Sequence, residues 1–350
     1  MTASEHADVG VHADDVSITY REHGSGRDHV ALSGATFDVA RGGILGVVGT
    51  AGSGKTALGR ALSGRTASAS RTSRDYAGWP RISGGRLVVG GIDLRFPSKA
   101  DSRRIDLDIG YLAQNSGDLL RNDLTIAENI AEPILSRDRS FDRRRLGRAA
   151  AMLIDAVGLE LGMLNKFPFE LSRGQRQRIA FAQALIVEPS VLVVDEPAQG
   201  VDILARPALF TLLERINRAR ACTMVLLSHD LATVERLTND ILVLDRGVVL
   251  ARGHVEDVLE APEHPYLRRM KEAREYARAP LPGMISNDTL AAMERVADGL
   301  FGEIDAVAEQ AEAESKAREA LIAQRPEFAR FAAGQQPDAG GDGDERGRDA

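Results

Sequence analysis

Cysteine is nearly absent from this 350-residue sequence. The single thiol, Cys222, excludes an intrachain disulfide and the multi-cysteine site of an iron-sulfur cluster, and it reads as a small apolar residue at the start of a buried strand. Long apolar runs are missing as well. No stretch approaches the roughly 20 apolar residues that a membrane-crossing helix needs. Met1–Asp8 is polar and acidic rather than basic and then apolar, which argues against a leader and for the cytosol. Basic charge is not in excess either: Lys and Arg total 44 against 51 Asp and Glu, a net charge of −7. No nucleic-acid partner is expected from that balance, a local basic patch aside. Lysine itself is scarce, occurring at 55, 99, 166, 271 and 316, so a motif that requires one is seldom met by chance. What is present is 43% hydrophobic and 27% charged residues, enough for one sizeable globular core and a smaller appendage.

Val16–Tyr20 alternates like a half-buried strand, Gly24 to Gly26 mark a turn, and Ala35–Val39 reads as a second strand, so the chain opens with antiparallel structure. Ile44–Val48, Val191–Val194 and Thr223–Leu227 are short apolar runs, each followed by polar residues and a helical pattern. They predict a mainly parallel sheet with crossover helices, an α/β fold. Residues 113–186 show helical periodicity and few strand signals, which predicts an inserted helical subdomain. Prolines 262, 265, 280 and 282 punctuate a connector over 263–283. Leu290, Met293, Val296, Leu300, Ile304 and Val307 then recur at helical spacing within an expected extension over 284–333. That stripe suits packing on its own domain or a partner. Residues 334–350 lack apolar anchors and read as a disordered acidic tail.

Gly49-Thr50-Ala51-Gly52-Ser53-Gly54-Lys55-Thr56 fits the phosphate-binding pattern G-x-x-x-x-G-K-[ST], between a buried strand and the expected helix Ala57–Leu62. Successive backbone N–H groups and the helix N-terminus form an anion cradle. Lys55 reaches the terminal phosphates of ATP, and the Thr56 hydroxyl can ligate Mg²⁺. Val191–Asp195 supplies an apolar strand ending in a carboxylate that suits the metal. Because strand side chains alternate, Glu196 can lie near an attacking water and act as general base. Alone, Asp195-Glu196-Pro197 would more often be a solvated turn; the phosphate loop reverses that balance.

Glu170-Leu171-Ser172-Arg173-Gly174-Gln175-Arg176-Gln177-Arg178 resembles the signature motif of ATP-binding cassette (ABC) ATPases, Leu-Ser-Gly-Gly-Gln, at that family's spacing from Asp195-Glu196-Pro197. The resemblance covers roughly residues 14–270 and implies a P-loop NTPase fold of ABC type with its nucleotide-binding domain over 14–262. It also implies a head-to-tail dimer with an identical chain or a paralogue, each ATP held between one phosphate loop and the partner's Ser172, Gly174 and Gln175. Tyr20 matches the aromatic that stacks on adenine. Gln114 matches the Q-loop glutamine that contacts Mg²⁺ and water, His229 the histidine that bonds the terminal phosphate, and Asp202 the aspartate at the dimer seam. Taken singly, these residues would also suit packing, a surface position or a loop hydrogen bond. Two positions depart from the family pattern: Arg173 replaces the first signature glycine, and Gln199-Gly200-Val201-Asp202 replaces Ser-Ala-Leu-Asp.

Ala261-Pro262-Glu263-His264-Pro265-Tyr266 is similar to a segment of peptide and nickel importer ATPases, as is Asp118-Leu119-Leu120-Arg121. This implies a peripheral motor on the cytoplasmic side of the cell membrane, driving separate permease subunits, with a substrate-binding protein as a further partner. A Pro-rich surface turn is the plain alternative for the first segment. A soluble ABC ATPase of assembly, repair or translation is the alternative function, and Glu196 and His229 oppose a subunit that binds ATP without turnover.

Overall fold

The computed structural model describes residues 9–21, 28–66, 79–201 and 206–278. Alternating buried and exposed side chains build β1 (Val9–Arg21) and β2 (Asp28–Ala40), which pair antiparallel. Both are longer than their alternation alone marks. The sequence then turns continuously apolar in β3 (Ile44–Gly49), which is buried along nearly its whole length and leads through the phosphate loop into α1 (Lys55–Leu62). β4 (Arg81–Val89) and β5 (Ile92–Asp93) complete a four-stranded antiparallel sheet of order β2-β1-β4-β5.

α2 (Lys99–Asp108) leads into β6 (Ile109–Leu112), after which residues 113–186 contain helices and no strand among the described residues. These helices are α3 (Ile126–Leu135), α4 (Arg143–Ala156) and α5 (Arg173–Leu185). The starts of α2, α3 and α5 are written locally. In each, a Ser or Thr accepts from the N–H three residues on, and that residue's Asp, Glu or Gln side chain accepts from the cap's own N–H. Such reciprocal caps satisfy otherwise orphaned donors and stabilise a helix by about 1 kcal/mol.

β7 (Val191–Asp195) and β8 (Thr223–Ser228) are buried at every position, with α6 (Arg206–Arg220) between them. α7 (Leu231–Glu235), β9 (Asp240–Asp245), β10 (Val248–His254) and α8 (Val255–Glu260) follow. The second sheet has the order β10-β9-β3-β8-β7-β6; β10 runs antiparallel to β9 and the other pairs are parallel. One face of it shares a core with the antiparallel sheet and α1, through residues such as Ile18, Leu32, Val47, Leu58, Leu62 and Val193. The opposite face buries Val48, Val234, Ile241 and Val243 with Leu259, Leu267 and Met270.

Part of the expected connector 263–283 is regular structure: α9 (Pro265–Arg278). The Tyr266 N–H donates to His264 Nδ1 at 3.2 Å. Pro265 sits at the first helical position, where its missing N–H costs nothing. Leu267 and Met270 hold the helix on the core. Prolines read as interruptions therefore include one that starts a helix. The turn at Gly24–Gly26, Asp202, the extension 284–333 and the tail 334–350 lie outside the described residues. The chain divides into two units. Met1–Arg139 with Ala150–Ala279 carries the elements of the site, and Ser140–Ala149 with Pro280–Ala350 is described over residues 140–149, which include the start of α4.

Candidate functional site

Parallel register brings the chemistry to one edge. Val48 pairs with Ser228, Asp195 with Leu227, and Leu112 with Val194, so β3, β6, β7 and β8 end side by side. The loops leaving their carboxyl ends carry Gly49–Thr56, Gln114, Glu196 and His229. Ligands of open α/β sheets bind at such an edge.

The phosphate loop owes its shape to the side chains it lacks. A Cβ on Gly54 would stand 2.4 Å from the Ala31 carbonyl oxygen, and its φ of +102° is left-handed. A Cβ on Gly49 would stand 2.4 Å from the Leu244 carbonyl oxygen and 2.5 Å from Ser53 Oγ. Gly52 instead faces open space, with nothing within 4 Å of such an atom. The loop is thus packed at both ends and open at its middle. The Lys55 ammonium donates to the Gly49 and Thr50 carbonyls at 2.7 and 2.8 Å and lies 3.5 Å from Ser53 Oγ. Burial pushes its pKa down, while Glu196 and Asp195 oppose that shift. The Thr50 hydroxyl donates to Asp245 Oδ1 at 3.3 Å, anchoring the outer limb.

Asp195 is 1% exposed at the end of β7. Burial raises its pKa, a hydrogen bond from Thr56 lowers it, Glu196 raises it further, and Lys55 and Arg60 lower it. Its Oδ2 is buried with no hydrogen-bond partner. An orphaned carboxylate oxygen is costly. The same carboxyl is hydrogen-bonded by the Thr56 hydroxyl, and the all-oxygen pair has the chemistry that Mg²⁺ prefers. The residues present therefore fit the metal.

Glu196 is gripped from several directions. Its N–H donates to the Leu227 carbonyl at 2.8 Å, and its φ of +56° is unusual for a residue with a side chain. Such backbone strain clusters at functional sites. Oε2 accepts from the Ser228 hydroxyl at 3.1 Å, and Oε1 accepts from the His229 N–H at 3.0 Å with His229 Nδ1 at 2.9 Å. The carboxylate is mostly buried, whereas the His229 ring is 67% exposed. With a proton on Nδ1 the ring donates to Glu196, and a second proton on Nε2 makes that nitrogen a donor as well.

Gln114 lies two residues beyond β6 on the same edge and is exposed. Tyr20 is half-buried against the shared core. Burial raises its phenol pKa, and the Arg60 side chain opposes this by charge and by a hydrogen bond, so the ring is tied to α1. Ser172, Gly174 and Gln175 belong to the start of α5. Ser172 Oγ accepts from the Gln175 N–H at 3.3 Å, and Gln175 Oε1 accepts from the Ser172 N–H at 2.8 Å. A Cβ on Gly174 would come 2.9 Å from the Gly200 carbonyl oxygen. These contacts tie the signature residues to one another and to the turn after Glu196, not to the phosphate loop.

Sequence reasoning missed Ser228, Arg60 and Gln177. Ser228 was identifiable only through the register of β7 on β8. Gln177 is 4% exposed; its Oε1 accepts from the Gly117 N–H at 3.0 Å and its Nε2 reaches the Ala113 carbonyl at 3.5 Å. It thereby fastens α5 to the segment that follows β6.

Residues 32–199 match the family described as ABC transporter. A putative peptide import ATP-binding protein of Brucella ovis is 33% identical over 242 residues, covering 69% of this chain and 72% of that protein. The chain belongs to the ATP-binding proteins of ABC transporters. Among other relatives, the oligopeptide transport ATP-binding protein OppF of Escherichia coli is 29% identical over 264 residues, 75% of this chain and 74% of OppF. The methionine import ATP-binding protein MetN of Rhizobium meliloti is 31% identical over 257 residues, 73% of this chain and 66% of MetN. A dimeric ATP-binding cassette, MJ0796, bound to ADP and Pi superposes with a TM-score of 0.61 at 23% identity, covering 70% of this chain and 98% of its own. The cassette cbiO1 of Clostridium perfringens gives 0.57 at 21% identity, covering 77% and 99%. Both carry the same α/β cassette fold. As an ABC ATPase, this family member hydrolyses ATP and uses Mg²⁺. Among the described residues, no helix is long and apolar enough to cross a membrane.

Proposed function

We propose that this chain is the ATP-hydrolysing motor of an importer for peptide-like or related small solutes, and that it works as a head-to-tail dimer. One observation carries the dimer: the chain presents two separate polar ends, and its own signature residues are fastened to the turn at Gly200 rather than to its own phosphate loop. Each end is half a site. Gly49–Thr56 cradle the phosphates of one ATP, while Ser172, Gly174 and Gln175 serve the ATP of the second copy or a paralogue.

Within one site, Lys55 contacts the terminal phosphates and the ring of Tyr20 stacks on adenine. Thr56, Asp195 and Gln114 would hold Mg²⁺, which would neutralise charge on the phosphate oxygens. Glu196 accepts the proton of the attacking water, and His229, as an imidazolium with both ring nitrogens protonated, donates through Nδ1 to Glu196 and through Nε2 to the terminal phosphate. The helical segment 113–186 passes movement from Gln114 to integral membrane permease subunits, so the chain sits on the cytoplasmic face of the membrane without crossing it. Residues 14–262 form the nucleotide-binding domain in this reading, with 263–283 leading to the extension 284–333.

The import direction and solute class follow the names of the peptide and methionine import relatives, and a substrate-binding protein would deliver the solute. Purification of the tagged full chain in mild detergent tests the assignment. Integral membrane subunits and a solute-binding protein should copurify, and added solute should stimulate ATP turnover. Recovery with soluble partners alone would replace the importer with a soluble ABC ATPase.

A further inference from the structure

Two departures from the family pattern, Arg173 and Gly200, meet in space. Glu196 begins a tight turn in which the Gln199 N–H donates to the Glu196 carbonyl at 3.1 Å and the Val201 N–H to Ala198 at 3.4 Å. Within this turn Gly200 has a φ of +72°, and an added Cβ would stand 3.9 Å from Arg173 Nε. The guanidinium therefore lies over the glycine's open face. One residue along α5, the Gly174 backbone comes so close to the Gly200 carbonyl that a Cβ would stand only 2.9 Å away. The Arg206 side chain fixes the next residue by donating to the Val201 carbonyl at 3.3 Å.

We propose that Arg173 and Gly200 are a matched pair of positioning residues that lock the turn after Glu196 to the helix start bearing Ser172. This rests on the dimer reading above. Glu196 acts on the chain's own ATP and Ser172 on its partner's, so the pair sets how strongly turnover at one site depends on occupancy of the other. Alanine at 200, the residue of the commoner pattern, is strained in a left-handed backbone. Relaxing it rotates the turn, which moves the carbonyl beside Gly174 and withdraws the face under Arg173. With glycine at 173 no side chain covers the turn, and the rotation disturbs less.

The test is a double-mutant cycle in the full chain with Arg173→Gly, Gly200→Ala and both together. ATP-driven dimerisation is measured in a Glu196→Gln background, and the Hill coefficient for ATP hydrolysis in the active chain. Gly200→Ala should weaken dimerisation about tenfold, and the double variant should recover most of that loss, a coupling typical of residues in contact. Arg173→Gly should move the Hill coefficient toward about 1. Arg173→Lys, which keeps charge without the planar group, should do the same. Melting curves identify any variant that fails to fold, and the lysine variant then carries the cooperativity test. Strictly additive losses, or an unchanged Hill coefficient in folded Arg173 variants, would overturn the proposal. Failure of the parent Glu196→Gln chain to dimerise with ATP would instead overturn the dimer reading itself.

Discussion

The phosphate-loop end and the signature end both lie at helix starts, yet they are held together in opposite ways. At the first, Glu196 is held by Ser228 and His229, and Asp195 by Thr56. These contacts span long stretches of sequence and leave Asp195 Oδ2 without a partner. At the second, Ser172 and Gln175 satisfy each other across three residues. A site built from long-range contacts concentrates buried charge and strain, as Asp195 and the positive φ of Glu196 show. A self-capped helix start has no such tension. In the proposed function the catalytic burden therefore falls on the first end, and the second contributes a helix start that is complete as a local structure.

Breaking the first end should have the larger effect. Glu196→Gln keeps size and one accepting oxygen for His229 but cannot accept the proton, so turnover should fall by about 10²–10⁴-fold. ATP binding should persist, and the chain should collect as a closed dimer in size-exclusion chromatography with ATP. Unchanged turnover would remove Glu196 as the base.

At the signature end, Ser172→Ala removes the cap and should cost about 1 kcal/mol of helix stability. To separate that from a role toward the partner, it can be combined with Lys55→Ala in mixed dimers, placed either on the other copy, where both strike one composite site, or on the same copy, where they strike different sites. When both substitutions strike the same composite site, the other site is intact and should retain measurable activity, at most about half of the parent's and less where the two sites are coupled. When they strike different sites, both should fail. Equal activity in the two arrangements would break the half-site comparison.

The difference between the ends also explains what was legible in the sequence. Reciprocal caps and the phosphate loop are written within a few residues, so Ser172, Gln175 and Gly49–Thr56 could be read directly. The apolar runs fixed the parallel strands for the same reason. Ser228 and the Arg60 partner of Tyr20 could not be read, because their roles exist only once β7 lies on β8 and β1 lies against α1. Likewise, nothing local joins Arg173 to Gly200. Proline misled in the opposite direction: Pro265 looks like an interruption until His264 is seen capping the helix that it starts.

The smallest expected effect sharpens the idea of tension at the first end. Burial is the main cause that raises the Asp195 pKa, so the native carboxyl binds its proton more tightly than the unfolded one. Stability therefore falls as pH rises from the ordinary carboxylate value through the raised native one, and the full cost remains above it. Asp195→Asn removes the buried charge and should raise the melting temperature at neutral pH by about 2–4 °C in nucleotide-free protein. Mg²⁺ with ATP should stabilise the unsubstituted chain more than the variant, because only the former offers the carboxylate pair with Thr56. A lower melting temperature for Asp195→Asn without nucleotide would show that Thr56, Lys55 and Arg60 outweigh burial, and that the long-range site is relaxed rather than tense.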